Sequence, residues 1–240
     1  MISFFKKKIC PPGSFYGGYV IVKFLGEGRF GICYLVELNG RQYVLKEIKP
    51  KIMKRQEYKI LLEKEILASI NHPSIPKIFD IIKNGRTYAY IMEYKKGKTL
   101  EDMIFNDMYK FNQREIYKIG IEIINIMQYL HERNIVHRDI RIPNVIIDKN
   151  RISLVDFGLA RHVDNIKYKF YDDFSYFGHL LLYLYYSSFV KKSRIKKPWY
   201  EELELSHRQI NFLKKLFDLN GGYKSIYGIK EEFLKLYSMS

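Results

Sequence analysis

The hydrophobic period of this chain changes near Gly97, and that change limits the fold more than any other feature. Ahead of it, apolar residues fall in short runs bounded by turn residues, the pattern of strands. Phe15 to Leu25, Ile32 to Leu38 and Gln42 to Lys46 read as strands. Asn39-Gly40 joins the last two as a tight hairpin, because both residues tolerate the positive φ of a type I′ turn. A helix is predicted over Gln56 to Ile70, where Ile60, Leu61, Glu63, Ile66, Leu67 and Ile70 recur at helical spacing, and His72-Pro73 stops it. Lys77 to Ile82 and Thr87 to Met92 predict a second hairpin across Asn84-Gly85.

Behind Gly97 the pattern is helical. Thr99 to Asp102 resembles a capping box, with Asp in the place of Glu or Gln, and predicts a helix start. Arg114 to His131 carries Ile116, Ile119, Ile123, Ile124, Met127 and Leu130 on one stripe, a long amphipathic helix. Short strands flank Asn150, and from Asp173 the pattern stays helical to the end. A β-rich front and an α-rich rear predict an α+β fold of two lobes, with the boundary near Met92 to Lys98.

Composition excludes several classes. With 240 residues, 47% of them apolar, the chain can bury a core of two small lobes and is not disordered. Its two cysteines, Cys10 and Cys33, have neither metal nor disulfide spacing, which suits a reducing cytoplasm. At the N-terminus, aromatic residues precede Lys6–Lys8, the reverse of a signal peptide. The longest apolar stretch, Phe177 to Val190, is shorter than the ~20 residues of a membrane span and reads as a buried helix. Lys and Arg number 41 against 26 Asp and Glu, a net charge of +15. Basic clusters fall at Lys6–Lys8, Lys49–Arg55, Lys95–Lys98 and Lys191–Lys197. Such a field draws acidic proteins, nucleic acid or anionic surfaces. No nucleic-acid-binding motif accompanies it, so a lysine-rich solvated surface is the simpler reading.

Gly26-Glu27-Gly28-Arg29-Phe30-Gly31 is a G-x-G-x-x-G string. Alone it is weak, since dinucleotide folds use it too. Here it lies between two strands, which describes a hairpin flap that lets backbone N–H groups approach phosphate oxygens; a plain glycine-rich turn is the alternative. Lys46 ends the next strand after Tyr43, Val44 and Leu45; taken alone it reads as a surface lysine with a surface glutamate, but its place predicts that it points inward, where an unpaired ammonium is costly. It needs an anion. Glu63 is placed to supply one and so hold Lys46 against phosphates, with Glu65 an alternative and Glu57 a more remote one.

His137-Arg138-Asp139, then Arg141 and Asn144, then Asp156-Phe157-Gly158 stand in order, with Asp139 and Asp156 seventeen residues apart. This stretch resembles the catalytic loop and the metal-binding triplet of the eukaryotic-like protein kinases. The resemblance runs from about Tyr19 to Tyr237 and implies a bilobal kinase domain over residues 1–240, divided 1–92, 93–98 and 99–240. It implies ATP and Mg²⁺ as cofactors, with Mn²⁺ as an alternative metal. Asp156 and Asn144 would bind the metal, Asp139 would accept or orient the acceptor hydroxyl, and Lys46, Glu63 and Arg141 would complete the catalytic set. Gly26 to Gly31 and Lys46 would hold the phosphates. Met92 to Lys95 resembles the gatekeeper and hinge, so the backbone of Glu93 and Lys95 would meet adenine while Cys33, Val44 and Ile146 pack on its faces. Asp173 resembles the acid that opens the large lobe's central helix and bonds the catalytic-loop backbone. Leu67, His137 and Phe157 match members of the family's regulatory hydrophobic column.

Four departures stand out. Arg141 replaces the usual lysine, a planar fork for a compact ammonium; a cation there favours serine or threonine as acceptor over tyrosine. Val44 replaces the usual alanine and would crowd adenine. Only sixteen residues separate Asp156 from Asp173, with no A-P-E motif and no serine or threonine; Tyr168 and Tyr171 carry the only hydroxyls. Arg138 therefore lacks the usual phosphoserine or phosphothreonine partner. Tyr223 stands where relatives carry the arginine that pairs with the A-P-E glutamate, so both ends of that ion pair are missing together. The leading expectation is an active serine/threonine protein kinase acting on a protein substrate, an acidic one being among those the basic surface would admit. A nucleotide-binding pseudokinase scaffold and a kinase-fold enzyme acting on a small molecule are the alternatives.

Overall fold

The computed structural model describes residues 9–84, 87–190, 197–219 and 221–237. They divide into two compact units: the described residues up to His72 with Pro76–Lys95, and Pro73–Ile75 with those from Lys96 onward.

The first unit is a six-stranded antiparallel sheet with one helix. Its strands are β1 (Phe15–Tyr16), β2 (Tyr19–Glu27), β3 (Gly31–Leu38), β4 (Arg41–Ile48), β5 (Ile78–Asn84) and β6 (Thr87–Glu93), in the order β1-β2-β3-β4-β6-β5. Asn39 and Gly40 have φ of 52° and 71°, so the β3–β4 turn takes the left-handed conformations its two residues favour. The first expected strand is broken in two, because Gly17 and Gly18 also adopt positive φ and fold β1 back on β2. The helix α1 spans Pro50–Ser69, starting six residues ahead of the predicted Gln56: Pro50 sits in its first turn, where proline's missing N–H costs nothing. The expected Asn84-Gly85 turn lies partly outside the described residues.

The second unit is mainly helical: α2 (Gln113–His131), α3 (Phe170–Tyr186), α4 (Trp199–Glu202), α5 (His207–Leu216) and α6 (Ile226–Tyr237). Short strands β7 (Lys98–Thr99), β9 (Val145–Asp148) and β10 (Arg151–Leu154) form one small sheet, and β8 (Ile135–Val136) pairs with β11 (Arg161–His162). The start predicted at Thr99 is real, since the Thr99 hydroxyl accepts from the Asp102 N–H, but it leads only into a turn of π-helix over Asp102–Asn106. All six stripe residues of α2 are buried. Its start is fixed by a capping box between Asn112 and Glu115 that the sequence reading overlooked. The apolar stretch from Phe177 is helical only to Tyr186, and Tyr183 on its outer face is exposed. Among the described residues no helix is long and apolar enough to cross a membrane. The basic clusters at Lys6–Lys8 and over residues 191–196 lie outside the described residues.

Candidate active site

The candidate residues fall into two groups, one in each unit. In the first, Lys46 lies on β4 opposite Cys33 of β3 and Tyr90 of β6. Its ammonium meets Glu63 Oε1 at 2.6 Å, and both residues are nearly sealed from water, at 5% and 2% exposure. Of the three acids the sequence offered, α1 turns Glu63 inward and leaves Glu57 and Glu65 exposed. Tyr90 hydrogen-bonds the Ile60 carbonyl at 2.6 Å, which ties α1 to the same strand. Burial, then the negative charge of Glu63, pushes the Tyr90 phenol far up, so it stays a neutral donor.

The glycine string spans the β2–β3 connection. Gly28 N–H bonds the Gly31 carbonyl at 2.9 Å, and Lys49 reaches back to both Gly28 O at 2.8 Å and Glu27 at 2.6 Å. Arg29 lies beside the Phe30 ring, 5.5 Å from its centroid. The glycines differ in why they are there. A Cβ on Gly31 would come within 2.3 Å of the Glu47 carbonyl oxygen, so β3 can lie against β4 only if that residue is glycine. At Gly26 and Gly28 a Cβ would meet nothing within 4 Å, and neither has a left-handed φ. The fold does not need glycine at these two positions.

Val44 and Cys33 are half-buried, and Val44 pairs with Met92 across β6. The Glu93 N–H is taken by the Lys77 carbonyl at 2.8 Å, and the Glu93 side chain pairs with Lys95 at 2.8 Å. Leu67 is buried on α1.

In the second unit, β8 delivers the chain to His137, Arg138 and Asp139. Arg138 has φ +63°, a conformation that costs a non-glycine residue energy unless its surroundings enforce it. Asp173, wholly buried on α3, enforces it: its carboxylate accepts from the Arg138 N–H at 2.7 Å, the His137 N–H at 3.0 Å and His131 Nε2 at 2.9 Å. The sequence reading included Asp173 but not His131, whose partner lies 42 residues further along the chain. Burial pushes the His137 imidazole down, so it is neutral, and its Nδ1 accepts the Asp139 N–H at 3.2 Å. The His137 ring meets Phe157 edge-on at 4.6 Å.

Asp139 is held from two sides. Arg141 Nε donates to Oδ1 at 2.6 Å with a second, longer contact of 3.4 Å from its NH2 group to Oδ2. Asn144 Nδ2 donates to Oδ2 at 2.8 Å and to the Asp139 carbonyl at 2.9 Å. The hydrogen bond to Asp139 raises the Arg141 pKa further, so this cation is permanent. Pro143 lies in the 3₁₀ turn Ile142–Asn144 that sets this spacing. Ile146 follows on β9, opposite Ser153 and Thr99. Asp156 is exposed, in a left-handed conformation (φ 61°), while Phe157 beside it is buried. Tyr223, where the resemblance leads one to expect an arginine, packs on Phe212 at 5.6 Å with the Lys215 ammonium 5.7 Å from its ring centroid.

A family model described as "Protein kinase domain" matches residues 19–178. The chain belongs to the protein kinase family. The "probable serine/threonine-protein kinase YbdM" of Bacillus subtilis is 35% identical over 224 residues, covering 89% of this chain and 87% of the relative. The "carbon catabolite-derepressing protein kinase" of Saccharomyces cerevisiae is 32% identical over 153 residues. That match takes in 62% of this kinase but only 24% of the yeast protein.

Proposed function

We propose that this kinase transfers the γ-phosphoryl group of Mg-ATP to a serine or threonine hydroxyl of a protein. The observation that carries the reading is Asp139, a nearly buried carboxylate oriented by Arg141 and Asn144 in a loop held by a second buried carboxylate. Phosphoryl transfer asks little covalent chemistry of the protein; it asks for positioning and charge stabilisation. Asp139 receives and orients the acceptor hydroxyl. Lys46, kept in place by Glu63, grips the phosphates. Gly26 and Gly28, which the fold itself does not require, leave the space beside their backbone clear of a side chain, so that phosphates could approach the strand connection closely.

The donor set suits Mg²⁺. Asn144 spends its amide nitrogen on Asp139, so its oxygen is the atom available to a cation, and the Asp156 carboxylate is the second hard oxygen donor. Among the described residues no cluster of three His, Cys, Asp or Glu could hold a metal unaided. Mg²⁺ does not require one, since it is commonly bound by one or two carboxylates with phosphates and water completing its shell. Bound there, the ion would neutralise charge on the phosphates. Arg141, a cation in the catalytic loop, supports serine or threonine as acceptor. Cys10 and Cys33, which form no disulfide, support a reducing, cytoplasmic location, and the basic surface supports an acidic protein substrate.

The test is label transfer from γ-labelled ATP and Mg²⁺ to acidic and basic generic proteins and to a metabolite panel. Labelled protein, reduced at least about a thousandfold by Asp156→Ala, is the expected result. Nucleotide binding without transfer would replace this reading with a scaffold, and a labelled metabolite beside unlabelled protein would replace it with a small-molecule kinase.

A further inference from the structure

The sixteen residues between Asp156 and Asp173 contain no serine or threonine, yet the Arg138 guanidinium is engaged. Its Nε donates to Asp172 Oδ2 at 3.1 Å, and its NH1 group lies 3.4 Å from the Leu159 carbonyl oxygen. The Tyr168 ring lies under the same guanidinium, 4.6 Å from centroid to Cζ. Consecutive acids therefore hold the two ends of one residue: Asp173 takes the backbone N–H of Arg138 and Asp172 takes its side chain.

A second cation completes the cluster. Arg161 is only 4% exposed and pairs with no carboxylate among the described residues; one NH group donates to Gly158 and Ala160 carbonyls. The Tyr168 phenol feels the positive charge of both Arg161 and Lys167, and the Lys167 ammonium lies 5.3 Å from its ring centroid. Burial alone would raise the Tyr168 phenol, but these two cations outweigh it and the net shift is downward. A carboxylate and an aromatic ring from one short segment thus close on Arg138, the left-handed residue next to Asp139, with the buried Arg161 of β11 as a second cation near the ring.

We propose that Asp172 and Tyr168 are positioning residues that hold Arg138 and the catalytic loop in working order, so that this kinase needs no phosphate on its shortened segment. In general, activation segments are ordered by new arginine–phosphate pairs. Here a carboxylate in the first turn of α3 supplies the anion permanently, and the helix N-terminus favours its charge. The inference rests on the phosphoryl-transfer reading above.

The experiment measures kcat and the KM for ATP on full-length chain shown by mass spectrometry to carry no phosphate on Tyr168 or Tyr171. Unphosphorylated wild type is expected to be active. Asp172→Asn should lower kcat about tenfold, as loss of a charge-assisted hydrogen bond implies, with the KM for ATP within about twofold. Asp172→Glu should restore most of it, which a purely structural role would not predict. Arg138→Ala combined with Asp172→Asn should be no worse than Arg138→Ala alone. Tyr168→Phe should cost only about two- to threefold, because the ring remains over Arg138. An active wild type indifferent to Asp172→Asn overturns the inference alone. So does activity that appears only with phosphate on Tyr168 and vanishes in Tyr168→Phe. A wild type that transfers nothing overturns the inference and the kinase reading together.

Discussion

The two units handle buried charge differently. In the first, a direct ion pair between a strand and a helix, Lys46 to Glu63, brings the two buried charges together, and the Tyr90 hydroxyl ties the same helix to the sheet. In the second, the Asp173 carboxylate collects three donors from α2 and the catalytic loop, and Asp139 is held by both Arg141 and Asn144. The helices differ in their starts too. Neither α1, which presents Glu63, nor α3, which presents Asp173, has a side-chain cap, but α3 carries two acids in its first turn where α1 has none, and α2, which supplies His131, starts on a reciprocal capping box. The lesson is that the loop from His137 to Asn144 is prebuilt by several hydrogen bonds to buried carboxylates, while the burial of Lys46 depends on where α1 sets Glu63.

The largest effect should come from the second unit. Asp173→Ala orphans two backbone N–H groups and one imidazole nitrogen in a dry interior, and about 4 kcal/mol of stability should go with them. Urea unfolding measures it; a loss under about 1 kcal/mol would erase the contrast. Next is the single pair. Lys46→Ala leaves Glu63 buried without its ion-pair partner and should cost about 3 kcal/mol, whereas Lys46→Met with Glu63→Leu should return close to wild-type stability and remain inactive. A double variant as unstable as the single one would mean that the pair is as embedded as the Asp173 network.

Smaller effects sharpen the contrast. Asn112→Ala removes half of the α2 capping box and should cost about 1 kcal/mol in the same unfolding assay. The least is a pH effect. His137 has its pKa depressed by burial below the ordinary 6.5, so below pH 6.5 the unfolded chain binds a proton that the folded chain refuses. Its contribution to stability is complete above pH 6.5 and is lost as pH falls toward the lower folded value. His137→Phe should therefore flatten the decline of Tm between about pH 6.5 and 5 relative to wild type. An unchanged slope would show that His137 does not resist protonation in the folded state.

Much of the site was legible because its chemistry is concentrated in short strings. The glycine string, Lys46, and the run from His137 to Asp156 can be found without a fold, and the change of period at Gly97 separates a β-rich region from an α-rich one. Two kinds of feature were not legible in full. Element ends depended on local chemistry that was overlooked, as with Pro50 at the start of α1, Gly17-Gly18 after β1 and the Asn112 box. Partners far apart in sequence had no local signal: nothing near His131 announces Asp173, and nothing beside Asp173, which the resemblance already assigned to the catalytic-loop backbone, announced that Asp172 holds the Arg138 side chain.

The amino-acid order by itself determined which residues share a strand face or a helix stripe, because side-chain direction repeats every two or 3.6 residues whatever surrounds the element. It also placed the reactive groups within a few residues of one another in the catalytic loop. Tertiary structure alone decided which of Glu57, Glu63 and Glu65 meets Lys46, and which acid answers Arg138. Such pairings depend on how the helix lies on its neighbours and how the intervening chain closes. A few tenths of a nanometre separate a buried ion pair from two solvated charges, and no periodicity along the chain encodes that distance.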